Sequence, residues 1–128
     1  MLFVDKNGLV DAERIIKRFS TIERGKLDKV NGIVVHQTGD STAEISFNSY
    51  KHTGANGAHF LIDKDGNIYQ TASVFKVTNH VGNIRSRCYM LRWLVAELTY
   101  TLKVPMTEIF RHPEVSYKVK TEAGTARW

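Results

Sequence analysis

A single cysteine, Cys88, among 128 residues excludes an internal disulfide, so an oxidising compartment is neither required nor ruled out. The opening Met1-Leu2-Phe3-Val4-Asp5-Lys6 has no basic region, and no apolar run is long enough for a signal peptide or a membrane span. There are no internal repeats and no low-complexity tracts. The formal charge of +5 favours an anionic partner such as nucleic acid, a membrane surface or an acidic wall polymer. The charge is scattered, however, with pairs like Lys17-Arg18 at most. Without an aromatic-interleaved basic stripe, a basic nucleic-acid-binding domain is the weaker expectation. What is present is an ordinary globular balance, 42% hydrophobic and 24% charged, in a chain short enough to form one domain, 1–128.

The chain organises around Gly32-Ile33-Val34-Val35-His36-Gln37-Thr38-Gly39. Three β-favouring residues predict a short buried central strand, ended by a histidine and broken by Thr-Gly-Asp-Ser into a loop. Imidazole at a strand end suits a metal ligand or a base aimed into a cleft, and equally a satisfied core histidine.

Upstream, Asp11 can cap a short helix whose Ile15, Ile16 and Phe19 make an apolar stripe. Residues 21–31 read as a polar connection. Downstream, Ser41-Thr42-Ala43-Glu44 matches a capping box, opening a helix that runs to about His52 and stops at Gly54. His59-Phe60-Leu61-Ile62, the turn Asp63-Lys64-Asp65-Gly66-Asn67 and Ile68-Tyr69-Gln70 predict a hairpin. The acidic turn lacks the later bidentate glutamate of a calcium loop. Residues 71–89 read as irregular or short strand. Leu91, Leu94, Val95, Leu98 and Leu102 predict a helix of about twelve residues packed on the sheet, ended by Pro105.

These segments contain a family resemblance. Ile33-Val34-Val35-His36-Gln37-Thr38, then Gly57-Ala58-His59-Phe60-Leu61-Ile62-Asp63-Lys64-Asp65-Gly66 and Ile68-Tyr69-Gln70, resemble the zinc N-acetylmuramoyl-L-alanine amidases, the fold family of the peptidoglycan recognition proteins and amidase-type phage lysozymes. His80-Val81-Gly82 is similar to the family's His-Ala-Gly, Arg111-His112-Pro113-Glu114-Val115-Ser116 to its second metal-ligand stretch, and Lys120-Thr121-Glu122-Ala123-Gly124 to its Lys-Thr-Asp-Pro-Gly. The resemblance runs from about Asn31 onward and is closest to amidase effectors of type VI secretion systems.

It implies an α/β fold with a mixed central β-sheet flanked by helices, and hydrolysis of the bond between N-acetylmuramic acid and L-alanine in peptidoglycan. By resemblance the zinc ligands are His36, His112 and Glu122; two imidazoles and a carboxylate leave a fourth position for water, whose pKa zinc lowers toward ~7. Lys120 would polarise the scissile carbonyl, with an ordinary surface lysine as the competing reading. His80 would contact substrate, and His59 would be a buried structural histidine. Cys88 is a ligand by chemistry, but the motifs leave it no vacancy; His52 has no motif around it. The implied partners are peptidoglycan and, for an effector, an immunity protein, reached by a non-classical route or in the periplasm and cell wall.

Two departures bear on activity. Ala58 stands where some family members carry an assisting tyrosine. The family's strand after His-Ala-Gly, with its general-base glutamate, is also absent, since Arg85-Ser86-Arg87-Cys88-Tyr89-Met90 passes directly into the Leu91 helix. Either the strand is lost, which favours a non-catalytic peptidoglycan-binding module of the same fold, or a stretch is missing at about 90–91.

Overall fold

Two short strands far apart in sequence decide much of the architecture: Ile15-Ile16-Lys17 lies parallel to Ile68-Tyr69-Gln70, in register. The computed structural model describes residues 2–37, 40–79 and 88–111, with side chains in the last segment from Trp93 onward. Its elements in chain order are β1 (Phe3–Val4), β2 (Val10–Asp11), β3 (Ile15–Lys17), β4 (Glu23–Lys26), β5 (Ile33–Val35), α1 (Ala43–Tyr50), β6 (Phe60–Ile62), β7 (Ile68–Gln70), β8 (Lys76–Thr78), α2 (Cys88–Leu102), a 3-10 turn (Met106–Glu108) and β9 (Ile109–Arg111). Parallel and antiparallel pairings both occur, so the described chain is mixed α/β. Its ladders fall into four small groups, β1-β2, β3-β7-β6, β4-β8 and β5-β9, in place of the one central sheet expected.

The helix predicted from Asp11 to Phe19 is replaced by strand. Ile15 is 3% exposed and Ile16 44%, the alternation of a pleat and not of a helical stripe. β-Branched side chains tolerate this conformation well, and the pairing with β7 settles the choice. Similarly, the expected polar connection 21–31 contains β4, which pairs antiparallel with β8. Glu23↔Thr78 and Lys26↔Lys76 are register partners, with an irregularity between them.

The hairpin forms as expected. Phe60, Leu61 and Ile62 oppose Gln70, Tyr69 and Ile68. The Gly66 N–H donates to the Asp63 carbonyl at 2.9 Å, and Gly66 takes φ 91°, a conformation open to glycine without steric cost. α1 also forms, but the capping box does not. Its N-cap is Thr42, with no side-chain capping bond. The Ala43 N–H donates instead to Asp63 Oδ1 at 3.2 Å, so the hairpin turn caps the helix. Glu44, freed from capping, makes an exposed bidentate pair with Arg18 at 2.8 and 2.9 Å.

α2 begins at Cys88, ahead of the expected Leu91, and Met90 and Leu91 lie within it. It stops at Leu102 because Lys103 turns left-handed (φ 55°), with Val104 N–H donating to the Thr99 carbonyl; Pro105 lies just beyond. Leu94 and Leu98 pack with Leu2, Val10, Ile15 and Ile68, while Val95 joins Val35 and Ile109. Ile33 and Ile62 touch both clusters, so β5-β9 and the hairpin share α2 as a common backing. A third cluster of Ile22, Phe47, Tyr50 and Leu61 seats α1. The start of the chain is tied down by Leu2 N–H to Glu97 Oε2 (2.9 Å) and Thr101 Oγ1 to the Leu2 carbonyl (2.8 Å).

Candidate active site

β5 is less buried than its apolar run suggests. Val35 faces the core, but Val34 is 48% exposed, and β9 is its sole ladder partner among the described residues. The pairing is parallel, Ile33↔Ile109, Val34↔Phe110 and Val35↔Arg111. Both strands therefore end at the same side, and ligand sites in α/β proteins gather outside the carboxyl ends of parallel strands. The residue after Val35 is the half-buried His36; the residue after Arg111 in sequence is His112.

The segment following His36 is held by its own polar contacts. Gln37 is buried, and Asp40 Oδ2 accepts a 2.6 Å hydrogen bond from Ser46 Oγ on α1. A short polar link of this kind ties residue 40 to α1. His36, Gln37, Asp40 and Arg111 all engage neighbours. The Asp63 carboxylate, by capping α1, orients the helix that carries Ser46. None of these supports was expected from the sequence. Asp40 falls in a loop and Asp63 at the head of a hairpin turn, both positions where aspartate is ordinary.

His59 has the structural role expected of it. Its Nε2 lies 2.7 Å from the Lys76 carbonyl and Nδ1 3.5 Å from Thr78 Oγ1, linking the hairpin to β8. Burial pushes its pKa below the usual imidazole value, partly opposed by the Lys76 carbonyl and by Glu23. His52 is exposed. The start of the hairpin is packed tightly: a Cβ on Gly57 would sit 2.8 Å from Ile22 Cδ1 and from Tyr50 Cζ, while Tyr50 Oη accepts the Ala58 N–H at 3.2 Å.

A model of the N-acetylmuramoyl-L-alanine amidase family matches residues 26–97, more than half of the 128-residue chain. This chain belongs to that family. No curated protein and no solved structure matches it significantly. The matched span of the amidase covers β5, α1, the hairpin, β8 and the first two-thirds of α2, and leaves β1, β2, β3, most of β4 and β9 outside.

Of the residues with an expected role, His36 is described at the strand end. His80, His112, Lys120 and Glu122 lie outside the described residues. Cys88 opens α2, and its side chain is likewise outside them. Among the described residues no three His, Cys, Asp or Glu side chains gather in a metal-holding group. Among those residues, no helix is long and apolar enough to cross a membrane.

Proposed function

We propose that this amidase hydrolyses the amide between the muramic lactyl group and L-alanine in peptidoglycan, with zinc held by His36, His112 and Glu122. The observation that carries the reading is the parallel β5-β9 register, whose last pair, Val35↔Arg111, immediately precedes the two histidines in sequence. Paired strands run ~4.8 Å apart and a peptide bond spans ~3.8 Å, so residues following two such partners start within about 12 Å of each other. Two imidazole rings can span that interval toward one ion.

The donor chemistry fits: two imidazoles and a carboxylate are a usual catalytic zinc set with a position left open. Bound zinc would lower the pKa of water in that position toward ~7. His36 contributes an imidazole from the end of β5. Glu122 supplies the anionic donor, and the Lys120 ammonium stabilises the oxygen that gains charge as the carbonyl is attacked. His80 contacts the substrate beside the cleft.

Zinc content of the purified chain, measured together with release of stem peptide from peptidoglycan sacculi, tests the reading. His36→Ala and His112→Ala should each lose stoichiometric zinc and peptide release. Full zinc occupancy in either variant would show the site to be elsewhere. Glu122→Gln should weaken zinc binding with the fold intact, and unchanged affinity there would return Cys88 and His80 to consideration.

A second reading, grip without cleavage, has its own support. Residues 79–87, the whole connection between β8 and α2, contain no carboxylate to serve as a general base. Zinc uptake and sacculus binding without peptide release would establish it. The resemblance to type VI effectors extends the first reading to an antibacterial protein acting in the periplasm, restrained in the producer by an immunity protein. Toxicity on periplasmic export, abolished by His36→Ala, is the expected result.

A further inference from the structure

The segment before residue 26 builds a groove jointly with residues 26–28 and 73–76 of the family match. About 700 Å³ opens between the β1–β2 turn, the approach to β4, and the stretch leading into β8. Lys6, Lys26 and Lys76 line it, with Phe19 and Phe75 among its apolar walls. Lys26 and Lys76 are direct cross-strand partners, an arrangement of like charges that weakens an antiparallel pair. None of the three ammonium groups makes an ion pair among the described residues. Glu23 and Asp28 also line the groove; Glu23 Oε1 accepts the Ser73 N–H at 2.8 Å. In the same wall, Ser20 Oγ is buried with no hydrogen-bond partner among the described residues, a rare condition in native proteins.

Such a groove is built for something polar at several points and apolar between them. Three ammonium groups against two carboxylates match a short peptide with more carboxylates than amines. Aromatic walls suit its aliphatic parts better than a polyol phosphate chain. The volume lies within the range that holds a small ligand. We propose that this groove binds a free peptide stem of the cell wall, using Lys26 and Lys76 for its carboxylates and Asp28 for its amine. The proposal rests on the peptidoglycan reading above. It places a second hold on wall peptide at residues none of which is His36, His112, Glu122 or Lys120, so hydrolysis at one stem and retention at another become separable.

Calorimetry with the free wall tripeptide L-Ala-γ-D-Glu-meso-diaminopimelate tests this on the full chain. Wild type should bind it, and Lys26→Gln/Lys76→Gln should bind at least tenfold more weakly. That variant should melt no lower than wild type, since it removes a like-charge pair, so lost binding cannot be put down to lost folding. His36→Ala should bind the tripeptide as wild type does while releasing no peptide from sacculi. Absent binding at millimolar tripeptide, unchanged affinity in the double lysine variant, or loss of binding in His36→Ala would each overturn the proposal. So would equal affinity for the ordinary tripeptide Ala-Glu-Lys, which would point to a general peptide site. If wild type releases no stem peptide yet keeps lysine-dependent tripeptide binding, the amidase reading falls and the groove stands.

Discussion

Replacing Gln70 with Met removes one amide and should cost this protein about 3 kcal/mol. Gln70 is wholly buried. Its Oε1 accepts the Val10 N–H at 2.9 Å, and its Nε2 donates to the carbonyls of Gly8 at 2.9 Å and Ala72 at 3.0 Å. Met has similar length and fills the space, so the packing loss is small. The Val10 N–H is then left without this partner in a fully buried position, which costs about 1–3 kcal/mol. The Gly8 carbonyl keeps its other bond, from Val74 N–H at 3.0 Å, so the two lost carbonyl contacts contribute only ~0.5–1 kcal/mol each. Their sum, about 2–5 kcal/mol, is a large share of the ~5–15 kcal/mol typical of a folded domain. Urea unfolding of wild type and Gln70→Met measures it, with a drop of about 10 °C in Tm expected alongside. Because these bonds tie the β1–β2 region to β7, amide exchange at Val10 should accelerate most. A loss under about 1 kcal/mol, or unaltered exchange at Val10, would refute this account of how the N-terminal segment is held.

Gly57→Ala should destabilise by about 1–3 kcal/mol through overpacking, since the new methyl meets Ile22 and Tyr50 at 2.8 Å; a neutral effect in thermal melts would mean the pocket yields freely. Asp63→Ala should cost about 1 kcal/mol by uncapping α1, and a helical circular-dichroism signal and Tm both unchanged would count against the capping bond. His59, with its folded pKa lowered by burial, binds fewer protons folded than unfolded. Stability should therefore be full above the unfolded imidazole value of ~6.5 and fall as pH drops below it, with a slope of up to ~1.4 kcal/mol per pH unit. His59→Gln should flatten that slope relative to wild type between pH 6.5 and 5, and an identical slope would assign it to other groups.

The elements legible beforehand were those whose signal is local. The hairpin follows from Asp-Gly between two apolar runs, α1 from the Ser41-Thr42-Ala43-Glu44 start signal even though its side-chain cap does not form, and α2 from apolar spacing sustained over about twelve residues. β3 misled because Ile15, Ile16 and Phe19 satisfy a helical stripe about as well as a pleat over so few residues, and the deciding partner, β7, lies some fifty positions away. β4 was hidden because Glu-Arg-Gly-Lys has little strand preference of its own and is strand only through β8.

At the candidate site the division is the same. Residue chemistry and order along the chain determined the amidase family and made His36 a candidate ligand, because a histidine after a β-branched run and the motifs behind it are read without knowing any contact. Only the tertiary structure decided that β9 runs parallel to β5 in a register ending just before His36 and His112, and that Asp40 and Asp63 are tied to α1. It alone joined Lys6, Lys26 and Lys76 around one groove. The β5-β9 register and the lysine groove are pairings between distant positions, and nothing in the local preference of either partner encodes them. For the β5-β9 register the selecting energy comes from burying Val35, Ile109 and Val95 together, a term that exists only once the chain has closed on itself.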